Sequence, residues 1–417
     1  MAQLRDDCFA PGEGLMPMDD ALAILAERIV PVVAEEQAPL RAARGRILAE
    51  DVVAAEDVPR HDNSAVDGYA FSFADLGSGT ETRFAVKGRA TAGHPFAGPL
   101  RGGAALRIFT GAEMPAGLDT VAMQEDCTES GGSVTIPAGL ECGANRRLAG
   151  EDVVSGHVVL HKGQRLRPQD IGIAATVGRG RLSVFRRLRV AVFSTGDEVV
   201  DPGEALPRGA VYDANRYTLG SMVEALGAKV TDLGILPDDL DTVRTALEKA
   251  ASDHDLLITS GGVSVGEEDH VRSAVEAIGR LHFWRLAIKP GRPLAMGQIG
   301  SVPFVGIPGN PVAAMVTFLR FVRPLILQLG GADAVQPFLF KVRAGFDHRK
   351  KANRREWIRA RLVRHGDGTQ TVEKFPREGA GILSSMVEAD GLVELPEDLT
   401  QLEKGSEVDF LPFSEVL

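Results

Sequence analysis

The segment SGGVSVGEEDH, residues 260–270, joins a glycine-rich stretch to three successive carboxylates. Small residues let backbone N–H groups converge on an anion, and Mg²⁺ is commonly held by carboxylates together with substrate phosphates. The segment therefore predicts an anion site with a divalent cation beside it. The carboxylates of Glu267, Glu268 and Asp269 are candidate metal ligands, and the candidate substrate-binding residues are Ser260, Gly261, Gly262, Ser264 and Gly266.

Three further loops combine small residues with polar or acidic ones, and each follows a short apolar run that is typical of a buried strand. They are Thr195-Gly196-Asp197-Glu198, Leu236-Pro237-Asp238-Asp239 and Pro308-Gly309-Asn310-Pro311. Ligands of open parallel sheets bind beyond the carboxyl ends of the strands, so we expect all four loops to share one site. Glu198, Asp238 and Asp239 would add carboxylates to this shared anion and metal site.

Each loop also has a purely structural interpretation. Asp238 and Asp239, the acidic triplet of residues 267–269, and Asn310 followed by Pro311 all suit the start of a helix. For any single loop this alternative is as good as the functional one. The occurrence of all of them after strands favours the shared site.

The basic residues that an anion needs lie in the stretch RLAIKPGRPLAMG, residues 285–297. Arg285, Lys289 and Arg292 are candidates for binding an oxyanion, although a surface salt bridge is the ordinary role of such residues. Neither GxxxxGK[ST] nor GxGxxG follows the first strand of this region, which disfavours a P-loop or a dinucleotide fold.

Composition excludes several classes of partner. The 417-residue chain has a formal net charge of −11, which argues against a general binder of nucleic acid or anionic membrane. The three cysteines, Cys8, Cys127 and Cys142, lack metal-binding spacing and suit a reducing cytosol, so we expect a cytoplasmic protein without a secretory signal. The apolar stretch 311–329 contains Arg320 and Arg323, which predicts a core helix and not a membrane span.

The chain is long enough for several domains, and its pattern predicts a multidomain α/β plus β fold. Short continuous apolar runs alternate with helical patterns over residues 187–331, which is typical of a doubly wound α/β domain. We expect an elongated N-terminal domain from residues 15–51 and 148–186, an inserted β-rich domain at 52–147, and a barrel-like C-terminal β domain at 335–417.

Other polar residues have ambiguous roles. Asp67-Gly68 suits a hairpin turn, and Thr110 and Asp152 lie in Gly-containing turns that either contact a ligand or only reverse the chain. His157 and His161 are expected to be structural. In the basic run 349–364, Ile358, Ala360 and Leu362 alternate with Arg359 and Arg361, which predicts a strand with a solvated basic face.

Together these segments resemble the molybdopterin molybdenumtransferases of molybdenum cofactor biosynthesis, the family of bacterial MoeA and the C-terminal domain of gephyrin. The ordered set of motifs is highly specific and spans nearly the whole chain. The motifs are GRILAEDV, DNSAVDGYA, TGAEMP, RRLAGED, STGDEV, YDANR, SGGVSVGEED, LAIKPGRP and PGNPVA.

The resemblance implies an elongated four-domain subunit and a homodimer whose active-site clefts lie at the subunit interface. It implies a Mg²⁺-dependent reaction in which adenylylated molybdopterin and molybdate give the molybdenum cofactor and AMP. Partners implied beyond these small anionic substrates are the molybdopterin adenylyltransferase and molybdoenzyme maturation proteins; nucleic acid and membrane are not among them.

The resemblance also carries residue assignments onto matching positions. Lys289 matches the lysine of the IKPG motif, whereas Arg285 stands where relatives often have Lys, which keeps the charge but permits bidentate geometry. The other matching positions are Asp67, Thr110, Asp152, Glu198, Asp238, Asp269, Pro308 and Pro311.

The implied roles follow from charge. The opening loop and residues 308–311 are expected to hold the phosphate part of the pterin nucleotide, and Asp269, helped by Glu267 or Asp238, to hold Mg²⁺. Lys289 and Arg285 would offset anionic charge, and Glu198 would orient molybdate or water. The alternatives are a molybdopterin adenylyltransferase, which the α/β domain alone would suit, and a non-catalytic scaffold resembling gephyrin.

Overall fold

The computed structural model describes residues 15–98, 100, 102–262, 270–291 and 293–417. Contacts divide the chain into two compact units. The insert unit comprises Asp51–Lys162 and Pro168–Arg181, and the main unit comprises the residues up to Glu50, Gly163–Arg167 and Leu182–Leu417. The predicted site residues that lie outside the described residues are Ser264, Gly266, Glu267, Glu268, Asp269 and Arg292.

The strands are, in chain order, β1 (Glu35–Pro39), β2 (Val52–Val53), β3 (Asn63–Ser64), β4 (Gly68–Phe71), β5 (Thr82–Ala90), β6 (Ala104–Ile108), β7 (Thr120–Met123), β8 (Thr128–Ser130), β9 (Ser133–Ile136), β10 (Arg146–Arg147), β11 (Val158–Leu160), β12 (Arg181–Phe185), β13 (Arg189–Thr195), β14 (Val199–Val200), β15 (Val211–Tyr212), β16 (Lys229–Leu236), β17 (Leu256–Ser260), β18 (Gly279–Arg285), β19 (Ile288–Lys289), β20 (Pro293–Ile299), β21 (Val302–Ile307), β22 (Phe340–Ala344), β23 (His348–Arg349), β24 (Arg355–Arg364), β25 (Gln370–Lys374), β26 (Gly391–Leu395), β27 (Gln401–Leu402) and β28 (Glu407–Pro412). The helices are α1 (Met18–Arg28), α2 (Leu40–Ala43), α3 (Pro168–Thr176), α4 (Ala214–Ala225), α5 (Leu240–Asp253), α6 (His270–Ile278), α7 (Pro311–Thr317), α8 (Arg323–Leu329) and α9 (Ser384–Glu388).

The insert unit is built on a six-stranded sheet in the order β7-β4-β6-β5-β9-β8. Successive residues of β4 enter different apolar clusters: Ala70 packs in one, and Tyr69 and Phe71 in the other. This alternation is the period of two that a strand imposes, and both faces of the sheet are therefore covered. A Cβ at Gly68 would lie 1.9 Å from the carbonyl oxygen of Ala122, so the close approach of β4 to β7 requires glycine there.

The α/β part of the main unit is a six-stranded sheet in the order β16-β13-β17-β21-β20-β18. The first four strands are parallel, and β20 and β18 are antiparallel additions at one edge. Val190 and Val192 pack with α4 on one face, while Ala191 and Phe193 pack with α5 and α6 on the other. The predicted doubly wound α/β fold is confirmed, because these strands are buried on both faces by helices.

The predicted core helix is formed by α7, a π-helical turn at Phe318–Val322, and α8. Residues Pro311–Leu329 are long and apolar enough to cross a membrane, but 94% of the apolar window is buried inside the molecule. Arg320 within it is paired with Glu394 at 3.1 Å and lies 5.8 Å from the centre of the Trp357 ring. A guanidinium in such a core requires these partners.

The C-terminal strands close into a barrel. The strands pair in the order β24-β25-β22-β28-β26, and pairing of β26 with β24 closes the barrel. Strand β19 pairs in parallel with the first two residues of β24. The predicted solvated basic face of β24 is wrong at Arg359, which is only 8% exposed, and holds at Arg361, which is exposed. Arg359 donates to backbone carbonyls of Arg377 and Gly379, because the segment after β25 folds across it.

Candidate functional site

The carboxyl ends of four parallel strands meet at one edge of the α/β sheet, as the sequence predicts. Because β13, β16, β17 and β21 all run in the same direction, the loops after them lie along that edge. These loops carry Glu198, Asp238, Gly261 with Gly262, and residues 308–311. The structure thus brings together the described site residues that were predicted from this unit's strand ends.

Asn215, at the start of α4, ties two of these loops together. Its Nδ2 donates to Ser260 Oγ and to the carbonyl oxygen of Gly309, both at 2.7 Å. Ser260 Oγ lies 3.2 Å from the carbonyl oxygen of Pro308, and the Gly261 N–H donates to Ile307 O at 3.1 Å. The side-chain amide therefore sets the spacing between the ends of β17 and β21.

Sequence reasoning missed Asn215 as a site residue, although the residue stands in the YDANR segment. Its helix is fixed by a neighbouring cap, in which the Asp213 carboxylate accepts from the Arg216 N–H at 3.1 Å. Arg216 is itself buried and contacts Asp201, Asp213 and Asp232. This cluster anchors the start of α4 and with it the amide of Asn215.

The turn after β17 depends on glycine. Gly262 has φ +62°, and a Cβ there would lie 2.4 Å from Thr195 Oγ1 and 2.9 Å from Val271 Cγ2. The backbone consequently passes close to β13 and α6 in a conformation that L side chains rarely adopt. The small residues of this segment are required by the path of the chain at the sheet edge.

The two aspartates after β16 have different surroundings. Asp239 caps α5, because its Oδ1 accepts from the N–H and the hydroxyl of Thr242 at 2.8 and 2.6 Å, and these bonds lower its pKa. The side chain of Asp238 is 34% exposed and its Oδ1 lies 3.9 Å from His270 Nε2. The helix-cap interpretation therefore applies to Asp239, and Asp238 presents a carboxylate at the site edge.

The loop after β21 links the sheet edge to a second feature. Pro311 occupies the first turn of α7, as its structural interpretation predicts, but Asn310 makes no side-chain capping hydrogen bond. The N–H of Val312 instead donates to the carbonyl oxygen of Ala380 at 2.9 Å. The first turn of α7 is thus in direct contact with the segment that covers the barrel strand β24.

Beside this contact lies a cleft of about 230 Å³ between the β19 segment and the barrel, open to solvent. Its lining includes five Lys and Arg residues against two Glu residues, which makes it locally positive in an acidic chain. The charged lining residues are Lys289, Arg354, Glu356, Arg359, Lys374, Arg377 and Glu378. Such a cleft attracts anions despite the overall charge.

Of the predicted cations that the structure describes, Lys289 lines this cleft, whereas Arg285 is exposed at the end of β18 and is not among the lining residues. Lys289 Nζ donates to Glu356 Oε1 at 2.7 Å, and Glu378 Oε2 lies 3.6 Å away. Burial acts to raise the pKa of Glu356, but the hydrogen bonds from His348 and Lys289 outweigh it and lower that pKa.

Arg359 is the buried cation of the cleft wall. Its Nε donates to Ser385 Oγ at 3.0 Å, and its Nη2 donates to two carbonyl oxygens at 3.2 and 3.3 Å. Burial lowers its pKa from the ordinary arginine value, but guanidinium remains charged at neutral pH. No local sequence signal marks it, because the alternation of β24 assigns it to the solvent side.

In the insert unit, the structure brings two predicted residues together. Asp67 Oδ1 accepts from both the N–H and the hydroxyl of Thr110 at 2.8 Å, and these bonds lower the pKa of Asp67. Asp67 lies just before β4 and not in a two-residue hairpin turn, so the turn interpretation is wrong. Asp152 is exposed elsewhere in this unit, with its N–H donating to Val58 O.

Within the described ranges, no group of three or more His, Cys, Asp or Glu side chains is placed to hold a metal ion. His157 and His161 are both exposed at the two ends of β11. Of the predicted Mg²⁺ ligands, only Asp238 falls within those ranges. The described part of the sheet edge therefore presents Glu198 and Asp238 as exposed carboxylates, and Asp238 is the one of these that was predicted to hold the metal.

Comparison with known proteins covers nearly the whole chain. Three family profiles match: the MoeA N-terminal region (domain I and II) over residues 16–178, a probable molybdopterin binding domain over 191–328, and the MoeA C-terminal region (domain IV) over 341–413. Relatives named molybdopterin molybdenumtransferase include those of Haemophilus influenzae, 37% identical over 97% of this chain and 100% of the relative, and of Nostoc sp., 36% identical over 88% and 86%. The crystal structure of a molybdopterin biosynthesis MoeA protein from Pyrococcus horikoshii matches with a TM-score of 0.82 and 30% identity, covering 95% of this chain and 99% of that one.

Proposed function

Because this chain belongs to the molybdopterin molybdenumtransferase family, we propose that the sheet edge and the adjoining cleft of its main unit together form the site of molybdenum insertion. The chain transfers molybdenum from molybdate to adenylylated molybdopterin, with release of AMP, in molybdenum cofactor biosynthesis. The matches to both MoeA terminal regions favour this reaction over adenylyl transfer, for which the α/β domain alone would suffice.

The observation that carries the site proposal is the contact between the two features. The Val312–Ala380 hydrogen bond joins the loop after β21 to the wall of the basic cleft. A phosphate at the sheet edge and a small oxyanion in the cleft would thus be neighbours. Two anions that repel each other in water are held close by fixed positive groups, which is a contribution of positioning and electrostatics.

The pterin nucleotide is assigned to the sheet edge. Ser260, Gly261 and Gly262 and the turn 308–311 form its backbone-rich wall, with Asn215 fixing their spacing. Ser264 and Gly266 are included from the sequence. Glu198, exposed after β13, is assigned the role of orienting molybdate or water.

Molybdate is assigned to the basic cleft. Lys289 and Arg359 both line it. Lys289 belongs to β19 and Arg359 to β24, and these two strands are paired. Arg285 is assigned a supporting role through its positive charge. A tetrahedral dianion suits a cleft in which cationic side chains outnumber carboxylates.

Mg²⁺ dependence is part of the proposal. Asp238 fits the ion in chemistry, since it offers exposed carboxylate oxygens at the same sheet edge, and Asp269 and Glu267 are the proposed companions. When bound, the ion would neutralise phosphate charge. The residues of this chain bind and orient the two anions.

We further propose that the protein is cytoplasmic and works as a homodimer, in which the insert-unit residues Asp67, Thr110 and Asp152 complete the site of the partner subunit. The Asp67–Thr110 pair supports a functional role, because both hydrogen bonds orient an exposed hydroxyl and carboxylate. Light scattering reports the dimer directly. A mixture of Asp67→Ala and Lys289→Ala proteins that regains activity would support shared sites, whereas a fully active monomer would exclude them.

The assay for the reaction supplies purified protein with adenylylated molybdopterin, molybdate and Mg²⁺, and follows AMP and metal-loaded cofactor. We expect AMP release that depends on molybdate and is lost without Mg²⁺. Release of AMP at the same rate without molybdate would contradict molybdenum insertion. Full turnover of Asp238→Asn and Glu198→Gln would refute the assigned roles and leave the family membership untouched.

A further inference from the structure

A buried carboxylate stands among the cations of the cleft. Glu356 is 4% exposed, and its Oε1 lies 2.7 Å from Lys289 Nζ and 3.1 Å from His348 Nε2. Its Oε2 has the Arg354 guanidinium 3.8 Å away and makes no hydrogen bond with any described residue. Glu356 is thus a fixed negative charge inside a site that is otherwise arranged for anions.

The pairing of strands explains how Glu356 reaches Lys289. In the parallel ladder between β19 and β24, Lys289 is the register partner of Glu356. A lysine side chain on a four-carbon stem has many rotamers and loses rotamer entropy when it is held. The buried glutamate meets it from the neighbouring strand and selects one of those rotamers.

We propose that Glu356 is a positioning residue, which holds the Lys289 ammonium in the orientation that meets the anionic substrate. His348 fixes the glutamate in turn through the same oxygen. Glu378 also faces Lys289, but at 3.6 Å and with a 61% exposed side chain it orients the ammonium less strictly. The inference rests on the proposed function, since it takes molybdate as the anion in the cleft.

A simpler hypothesis, in which Glu356 competes with molybdate for Lys289, predicts the opposite change in molybdate affinity. If Glu356 only competed with molybdate for Lys289, removal of its charge would strengthen anion binding whatever replaced it. If Glu356 positions Lys289, a replacement that keeps the acceptor oxygen in place is tolerated and one that moves it is not. Glu356→Gln keeps the oxygen and loses the charge, whereas Glu356→Asp keeps the charge and withdraws the oxygen by one methylene.

The test measures molybdate binding to the full chain by calorimetry, together with kcat and the molybdate KM, for Glu356→Gln, Glu356→Asp, Glu356→Ala, Lys289→Ala and the Glu356→Ala/Lys289→Ala double variant. We expect Glu356→Asp and Glu356→Ala to weaken molybdate binding about tenfold and Glu356→Gln to change it less than about threefold. In the absence of Lys289, the Glu356→Ala change should have an effect of less than about twofold, because its effect runs through that lysine.

Two results overturn the inference. Tighter molybdate binding in Glu356→Gln with Glu356→Asp unchanged would assign Glu356 as a competitor. Equal losses from Glu356→Ala with and without Lys289 would assign it a structural role only. Circular dichroism checks folding, and if Glu356→Ala does not fold, the Gln and Asp variants decide between the accounts.

The outcomes separate this inference from the proposed function. A wild-type protein that binds molybdate but releases no AMP refutes the reaction, while the coupling of Glu356 to Lys289 is still measured by binding. A wild-type protein that does not bind molybdate refutes the assignment of the cleft and this inference with it.

Discussion

Replacing Asn215 tests whether the spacing of the strand ends matters for catalysis. The side-chain amide makes two hydrogen bonds of 2.7 Å, one to Ser260 Oγ and one to the Gly309 carbonyl oxygen. Each bond contributes about 0.5–1.5 kcal/mol net. If the whole loss falls on the transition state, Asn215→Ala lowers kcat/KM for adenylylated molybdopterin by about 5- to 150-fold.

Two variants sharpen the experiment. Asn215→Asp keeps the volume but replaces both donors by acceptors that repel the Gly309 carbonyl, so we expect it to lose at least as much activity as Asn215→Ala. Thr218→Ala is the matched control, because Thr218 on the same helix α4 loses only a bond to Ala214 O on the exposed side. It should keep wild-type kcat/KM. Unchanged kcat/KM in both Asn215 variants, with molybdate saturating, would refute the reasoning.

Three other outcomes follow from the geometry. Arg359→Met should raise the molybdate KM about tenfold or more. Arg361, the exposed arginine on the same strand, provides the control, and Arg361→Met should leave the molybdate KM unchanged. Equal effects of the two substitutions in steady-state kinetics would contradict the cleft assignment. Gly262→Ala should abolish most activity in a folded protein, because the added Cβ would lie 2.4 Å from Thr195 Oγ1 and 2.9 Å from Val271 Cγ2. Gly172→Ala adds a Cβ in open space and should be neutral. A fully active Gly262→Ala protein would refute the tight turn. Asp255→Asn should lower the free energy of unfolding by about 2 kcal/mol at pH 7, because it removes the carboxylate that accepts from two partly exposed arginines. The pKa of Asp255 is lowered in the folded protein, so its contribution is complete above the ordinary value of 3.8 and is lost as the pH falls through the lowered pKa. Urea unfolding that shows the same deficit at a pH below that lowered pKa would contradict this account.

The strand-end loops were predictable because their signals are local. Each apolar run of β13, β16, β17 and β21 stands directly before its polar loop, and parallel strands necessarily place such loops at one edge. The α/β class and the C-terminal β domain followed from the same periodicities. The ordered motifs identified the family.

The cleft was only partly predictable, because its residues are brought together from distant segments. Lys289 stood in a recognisable motif, but Glu356 and His348 have no signal of their own before β19 and β24 pair. Arg359 was predicted to be solvent-exposed because the alternation of apolar and basic residues describes a single strand and not what packs against it. The segment that contains Arg377 and Gly379 covers Arg359 and buries it, and the sequence of β24 does not predict this contact.

The same limit applies to local interpretations that compete. Asp238 and Asp239 are adjacent carboxylates with equal claims to cap α5, and only the path of the chain assigns the cap to Asp239. Asp67-Gly68 has the sequence of a hairpin turn. The bonds from Thr110, more than forty residues away, and the approach of Gly68 to Ala122 determine its actual place.

The central claim is that molybdate occupies the cleft beside the sheet edge. Diffraction from crystals grown with molybdate, measured with X-rays at the molybdenum absorption edge, locates the metal directly through its anomalous signal. The account predicts a peak in the cleft within hydrogen-bond reach of Lys289 and Arg359, absent from crystals of the Lys289→Ala/Arg359→Met variant. A peak elsewhere in the wild-type protein, with the cleft empty at saturating molybdate, would contradict it.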